Sequence, residues 1–549
     1  MMTVKRTILF LAVLLLAACG KEPQPVELTN GFVKEFRIDG KTVKPGGSLM
    51  NVAMNDIVID VVFSSEIDKQ KADLSRFSIT KMSEVFEFAD NADPKTLSLR
   101  LKAELPVFET YIFTVMEGEM CNLDLIDSYR FTFTTEMDDS DKFERISTDS
   151  LLTLVQQRTF SYFWDYAHPV SGLSRERFNS ENTVTSGGSG FGVMTIPVGI
   201  ERGFITRDEG AFRVQTIVTF LEEKAERFHG AFPHWMNGET GKALPFSDFD
   251  NGADLVETAL LMQGLLAARQ YFNLEIDVES DIRQRITSLW EAVEWDWFLN
   301  GTDALYWHWS PDHAWEMGMQ VNGWNEALIL YVLAASSPTH PIGKDVYDKG
   351  WARNGEMING RKFHDITLPL GPDYGGPLFF THYSFLGLDP RGLKDAYADY
   401  WEQNTAHVRI NHAYCKANPK GFYGYSEKCW GLTASDYHGG YAASSPTNDK
   451  GTIAPTAALS SMPYTPEESI MALEYFYYTL GDRLFGKYGF RDAFTLGRKW
   501  FADSYIAIDQ GPVVIMIENH RTGLLWNVFM QDEQIQAGLT KLGFTYRNE

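Results

Sequence analysis

Leu255 to Ala268 reads Leu-Val-Glu-Thr-Ala-Leu-Leu-Met-Gln-Gly-Leu-Leu-Ala-Ala, and this run constrains the fold more than any other. It is apolar on most faces, and a helix of that kind is buried. Its entrance, Phe249-Asp250-Asn251-Gly252-Ala253-Asp254, carries acids. Acids at the end of a buried helix need a partner, a cap or a chemical role. Asp254 and Glu257 stand three apart, so they share one helix face. That spacing can set a general acid or base at the rim of a pocket. Asp-x-x-Glu before an apolar run is also a near relative of the capping box. Residue physics alone leaves the cap and the catalytic role equally open.

The 549 residues suffice for two or more domains with large cores. Lys5 and Arg6 precede an apolar stretch, Ile8 to Leu16, that is short for a membrane span. Leu16-Ala17-Ala18-Cys19 resembles a bacterial lipobox, which implies cleavage before Cys19 and a lipid on its thiol. A secretory signal with a chance cysteine is the alternative. The formal net charge of −24 argues against nucleic acid or anionic lipid as a partner. Cys121 stands alone, whereas Cys415 and Cys429 are close enough in sequence to pair in an oxidising periplasm or to remain buried thiols. Neither Cys-x-x-Cys nor His-Glu-x-x-His occurs, so no metal and no cofactor is expected.

Along the chain, residues 1–18 are expected to be a signal peptide and residues 19–30 a polar tether. Residues 31–137 have β texture, in runs such as Asp56 to Phe63 and Ser128 to Thr134 separated by Asp39-Gly40, Pro45-Gly46-Gly47 and Asp90-Asn91. Short strands over about one hundred residues fit a small all-β immunoglobulin-like sandwich. Residues 138–147 form a charged linker, and residues 148–549 change to helical texture. Thr206-Arg207-Asp208-Glu209 matches a capping box, and Thr465-Pro466-Glu467-Glu468 another helix start. Further helices are expected at 150–166, 253–272, 281–295, 325–335, 393–405 and 490–504. Many helices without strand alternation indicate a helical toroid.

The connecting loops mix aromatics with carboxylates: Tyr306-Trp307-His308-Trp309, Gly323-Trp324-Asn325-Glu326, Asp373-Tyr374, Tyr425-Ser426-Glu427 and Asp436-Tyr437-His438. Sugar rings stack on aromatic faces, and their hydroxyls bond to carboxylates and imidazoles. Core packing would explain aromatics alone, but clustering in Gly-rich loops favours a glycan cleft. Glycoside hydrolysis needs two carboxyl groups flanking the scissile bond, or an acid and a base acting through water. Asp254, Glu257 and Glu326 are the leading candidates; Asp250, Glu427, Asp436 and Asp509 are weaker ones. Trp324 beside Glu326 suits an acid with a raised pKa. Arg175 and Arg177 could orient a carboxylate or a hydroxyl, or form structural salt bridges. Ser186 and Ser189 lie in a loop without a Gly-x-Ser-x-Gly elbow, so no serine nucleophile is expected.

Phe160 to Trp164, Ser186 to Gly192, Gly230 to Trp235, Asp250 to Glu257 and Gly323 to Glu326 together resemble the glycoamylase-like domain, and more narrowly glycoside hydrolase family 144. The resemblance runs from about Thr148 to the C-terminus. It implies an all-α (α/α)6 barrel catalytic domain and inverting hydrolysis of β-1,2-glucan, with release of sophorose or short β-1,2-glucooligosaccharides. The family's acidic positions fall on Asp254, Glu257 and Glu326. Asp250, His234, Trp235, Trp309, Trp324, Tyr374, His382, Glu427 and Asp436 are candidates for substrate binding.

Three other readings stand beside this one. The older glucoamylase label for such domains implies α-1,4-glucan. Helical toroids also host polysaccharide lyases, for which Tyr374, His382 and Tyr437 supply candidate bases. A non-catalytic glycan-capture lipoprotein would need only the aromatic platforms. Endo or exo action depends on a loop that blocks one end of the cleft, with 345–366 and 413–455 as the places to look. The lipid at Cys19 would hold the protein to the bacterial outer membrane, on its periplasmic or cell-surface side.

Overall fold

The computed structural model describes residues 28–547, so the signal peptide, Cys19 and most of the tether lie outside the described residues. The chain divides into two compact units, one ending at Asp138 and one beginning at Asp139.

In the first unit a five-stranded antiparallel sheet has the spatial order Lys41–Val43, Val33–Ile38, Val58–Phe63, Thr96–Leu101, Phe86–Ala89. A four-stranded sheet has the order Ser48–Val52, Tyr129–Thr135, Thr110–Val115, Phe77–Ile79, with its first pair parallel. Alternation along the strands turns Phe36, Ile59, Val61, Leu99, Phe113 and Phe131 into one buried core. Phe36 meets Phe113 and Phe131 from the other sheet at ring separations of 5.8 and 4.8 Å. Thr29–Gly31, Leu123–Leu125 and Gly118–Met120 form a further three-stranded sheet.

Two kinds of helix make up the second unit. Ser186–Glu201, Leu255–Tyr271, Leu328–Ser336 and Ala507–Arg521 are buried on nearly every face. Arg207–Glu223 and Asp277–Glu291 bury one stripe each, Ile282, Ile286, Leu289 and Trp290 in the latter. Thr148–Trp164, the first helix, packs on Ala507–Arg521 near the C-terminus. The expected capping box is present: Thr206 accepts from the Glu209 amide and the Glu209 carboxylate from the Thr206 amide. Residues 139–147 lie on this unit, where Lys142 N–H donates to the Tyr478 carbonyl (2.6 Å) and Phe143 stacks on Tyr477.

Several sequence expectations are corrected. Ser186 to Gly190 is not a loop but the first turn of Ser186–Glu201. Its glycines serve close packing rather than flexibility. A Cβ on Gly190 would lie 2.3 Å from the Leu260 carbonyl oxygen, and one on Gly264 2.1 Å from that of Gly190. The 490–504 segment is not a helix. It forms the ladders Phe485–Gly486 with Gly489–Phe490 and Phe494–Thr495 with Trp500–Phe501, turning through left-handed Lys499 (φ 53°). Its aromatics suit a pleated surface. The helix expected at 393–405 is Tyr400–Ala417, opened by Asp399 accepting from the Trp401 and Glu402 amides. Cys415 and Cys429 are both free buried thiols.

Candidate active site

Asp254 is both the cap and a site residue. As N-cap of Leu255–Tyr271, its Oδ1 accepts from the Glu257 amide at 2.9 Å. Its Oδ2 lies 3.0 Å from His234 Nδ1. An antiparallel bridge pairs Asp254 with His308 and Ala253 with Trp309, which brings a second imidazole to the same place. Asp250 Oδ2 sits 3.5 Å from His234 Nδ1 and 3.4 Å from His308 Nε2, and neither Asp250 oxygen has a hydrogen bond of ordinary geometry. One ligand atom each from His234, Asp250 and Asp254 lies within 4.8 Å of the others, a donor set that a divalent cation could accept.

Glu257 points from the first turn of its helix to the start of the neighbouring one. Its Oε2 accepts from Gly187 N–H (2.7 Å) and Thr185 Oγ1 (3.2 Å), so a helix N-terminus holds this carboxylate. The missing side chain of Gly187 makes the room: a Cβ there would stand 2.8 Å from Glu257 Oε2. Glu326 precedes Leu328–Ser336 and is 9% exposed, not a solvated first-turn acid. The helix begins later than expected because Asn325 Oδ1 accepts from the Ala327 amide in a local turn.

Burial differs in its outcome among these acids. It pushes Glu326 up to about 7, helped by the charges of Asp254 and Glu257. It also raises Asp250 and Glu257. Asp254 is held below its ordinary value, because the His234 hydrogen bond and the two imidazoles outweigh burial. His234 is driven well above its ordinary value, since the charge of Glu257, the close approach of Asp250 and the bond to Asp254 outweigh its own burial.

A cavity of about 420 Å³ joins these groups. Glu257, Glu326, His234, Thr185 and Trp235 line it together with Phe246, Trp307, Phe379, Tyr383, Tyr441 and Arg177. Asp254 and Asp250 reach it through His234, which touches both. A second carboxyl group stands behind Arg177 and Tyr383. Arg177 Nη1 lies 3.2 Å from Asp436 Oδ1, and the Asp436 amide donates to Asp492 Oδ2 at 2.7 Å. Tyr383 OH donates to Asp509 Oδ1 at 3.3 Å. Burial and the charge of Asp436 push Asp492 up to about 7, and burial with the charge of Asp492 drives Asp509 well above its ordinary value.

The other expected contacts stand apart from the cavity. Trp324 is buried against Phe385 and Tyr400, one residue from Asn325 but not lining the space. Trp309 packs among Phe228, His229 and Trp297. Tyr374, with φ 62°, packs on Phe363 and Tyr414. His382 is buried against Ser461 Oγ (3.0 Å), and burial lowers it to about 3, which leaves it a neutral structural group. Glu427 is exposed and pairs with Lys416 at 3.0 Å. Arg175 donates to the carbonyls of Tyr166, Ala167 and Glu181. Asp436 meets the site through Arg177 and as the ladder partner of Tyr441. Sequence reasoning missed Asp492, Phe246, Phe379, Tyr383 and Tyr441. The two phenylalanines of the 245–250 turn and the Ala434–Tyr437/Gly440–Ala443 hairpin were the local signals for two of them.

A family model described as "Putative glucoamylase" matches residues 318–533. The exo beta-1,2-glucooligosaccharide sophorohydrolase (non-reducing end) of Parabacteroides distasonis is 47% identical over 420 residues, 72% of this chain and 58% of that protein. The chain thus matches little more than half the length of this curated relative. The endo-beta-1,2-glucanase from Chitinophaga pinensis, solved with sophorotriose and glucose, is 54% identical with TM-score 0.72, covering 73% of this chain and 99% of that one. At 11% identity and TM-score 0.50, the endo-beta-1,2-glucanase from Talaromyces funiculosus shares the fold over 73% of this chain and 93% of its own, which makes the second unit an α-helical barrel.

Proposed function

Because the chain belongs to glycoside hydrolase family 144, we propose that it hydrolyses β-1,2-linked glucan or its oligosaccharides with inversion, releasing sophorose or short β-1,2-glucooligosaccharides. The observation that carries this reading is Glu326, a buried acid with a pKa of about 7 in the same cavity as Glu257. Such an acid still holds its proton near neutral pH and can give it to a leaving glycosidic oxygen. Glu257 is the base for the attacking water. The Gly187 amide and Thr185 hydroxyl hold its carboxylate in place, and the imidazolium of His234, 4.0 Å from Oε1, favours its ionised form. Asp254 is a positioning residue that keeps His234 charged and oriented. Trp235, Trp307 and Phe379 offer ring faces to the sugars.

The first unit is read as an immunoglobulin-like sandwich that acts as a spacer, and the second as an (α/α)6 barrel. The proposed domains span 31–137 and 148–549, with residues 138–147 a linker that packs on the second, residues 1–18 a lipoprotein signal and Cys19 the lipid attachment point on the outer membrane. No helix among the described residues is long and apolar enough to cross a membrane.

Incubation of the purified protein with linear β-1,2-glucan, and separately with soluble starch, followed by product sizing, tests the activity. A single short product from β-1,2-glucan means exo action, and a ladder means endo action. Glucose from starch alone would replace the substrate, a rise in ultraviolet absorbance would indicate a lyase, and binding without any product would indicate glycan capture.

A further inference from the structure

We propose that Phe246 is a stacking platform for one sugar ring of the substrate at the mouth of the cavity; this deepens the β-1,2-glucan reading and rests on it. Single exposed aromatics are ordinary on protein surfaces. Phe246 differs in where it stands and how it is braced. It is 50% exposed, yet it lines the cavity that holds Glu257 and Glu326. The His234 imidazole lies face to face with its ring at 4.1 Å and 19°. The Trp235 indole meets it edge-on at 4.9 Å and 68°. A ring covered on one face and still half exposed shows its other face.

That free face is held in a fixed place. Phe246 N–H donates to the Asp250 carbonyl at 2.8 Å, and Asp250 N–H to the Ser247 carbonyl, so the turn closes on a member of the acidic cluster. The imidazole beneath Phe246 is the one bonded to Asp254. The other half-exposed ring of the cavity, Tyr441, has a different setting. It carries a phenol hydroxyl and pairs with Asp436 across its hairpin, so it has polar company. Phe246 has no polar atom to occupy. A β-glucopyranose fits the vacancy in chemistry: its hydroxyls are equatorial and its ring hydrogens axial, so its faces are apolar and its rim polar. A phenyl ring covers such a face and leaves the hydroxyls to reach their partners. Phe246 carries no proton to exchange, so its contribution belongs to binding.

The test compares the full chain with Phe246→Ala and Phe246→Trp on β-1,2-glucooligosaccharides, after thermal unfolding confirms that all three fold. We expect Phe246→Ala to raise KM at least tenfold with a much smaller change in kcat, and Phe246→Trp to return KM to within about threefold of the parent. An unchanged KM overturns the proposal. So does a fall in kcat alone with a displaced pH profile, which would make Phe246 a brace for His234. If the parent protein turns over no β-1,2-glucan, the functional reading fails separately. Calorimetric binding of the same oligosaccharides then decides on Phe246: tighter binding by the parent than by Phe246→Ala upholds the platform, and equal binding removes it.

Discussion

Two groups of buried carboxyls approach one cavity, and they differ in what balances their charge. Asp250, Asp254 and Glu257 face His234 and His308, side chains that can gain or lose a proton. Asp436 and Asp492 face Arg177, which cannot, and Asp509 joins them through Asp492. In the first group the partners are imidazoles, whose own charge depends on a proton. In the second the cation is permanent, and burial with mutual repulsion raises Asp492 and Asp509, which favours a proton between them. The contrast is between a titratable counter-charge on one side of the pocket and a fixed one on the other. Glu326 belongs with the first group through the charges it feels, yet it has no imidazole of its own to offset them, so burial and the charges of Asp254 and Glu257 together lift it to about 7.

The largest expected effect is on Glu326. Glu326→Gln should lower kcat roughly 10³-fold with the fold intact, and in the parent kcat should fall as pH rises through about 7, where the proton is lost. Rate–pH profiles of both proteins check this, and a variant with near-normal activity would remove Glu326 from the chemistry. The same change should alter stability in the opposite sense. The folded pKa lies above the ordinary value of 4.5. The contribution of this group is therefore fully present below about pH 4.5 and lost as pH rises through about 7. Glu326→Gln should be more stable than the parent by up to about 3 kcal/mol at pH 8 and no different at pH 4, measured by denaturant unfolding at both.

Gly187→Ala comes next. Its methyl would meet Glu257 Oε2 at 2.8 Å, so kcat should drop roughly 10- to 100-fold through displacement of the carboxylate. Unchanged kinetics would mean that Glu257 need not sit where it does. Arg177→Met sharpens the other half of the contrast. Arg177 is partly exposed (35%), so solvent replaces some of what is lost, and a destabilisation of about 1–2 kcal/mol is expected. That loss should shrink in high salt, which screens the pairs of Arg177 with Glu176 and Asp436. A loss independent of salt would show that Arg177 stabilises by packing rather than by charge.

Much of the first group was legible because its members are close in sequence. Asp250, Asp254 and Glu257 sit within one helix entrance, and Asp254 caps that helix with one oxygen while the other faces His234. Asp492 was missed because its partner Asp436 lies 56 residues away, and nothing local marks an acid that will be buried by a remote one. The Ser186–Glu201 helix was hidden by its glycines, which read as a loop when only backbone freedom is weighed. Their purpose shows only when Leu255–Tyr271 lies against them. Conversely, Trp324 and His382 have the composition of sugar contacts and are core, and Tyr374 packs on Phe363 and Tyr414, because composition does not say which side of a loop faces inward.

The contact between Gly190 and Gly264 has a consequence for how such an enzyme can change. With backbone against backbone, that part of the packing between the two helices has no side chain to vary and no space to take one. New substrate preferences would have to be acquired elsewhere, in the turn that carries Phe246 and the hairpin that carries Tyr441, where a ring can be exchanged without moving a helix. The molecule thus separates a part that inheritance can scarcely alter from a rim that can be rewritten one residue at a time.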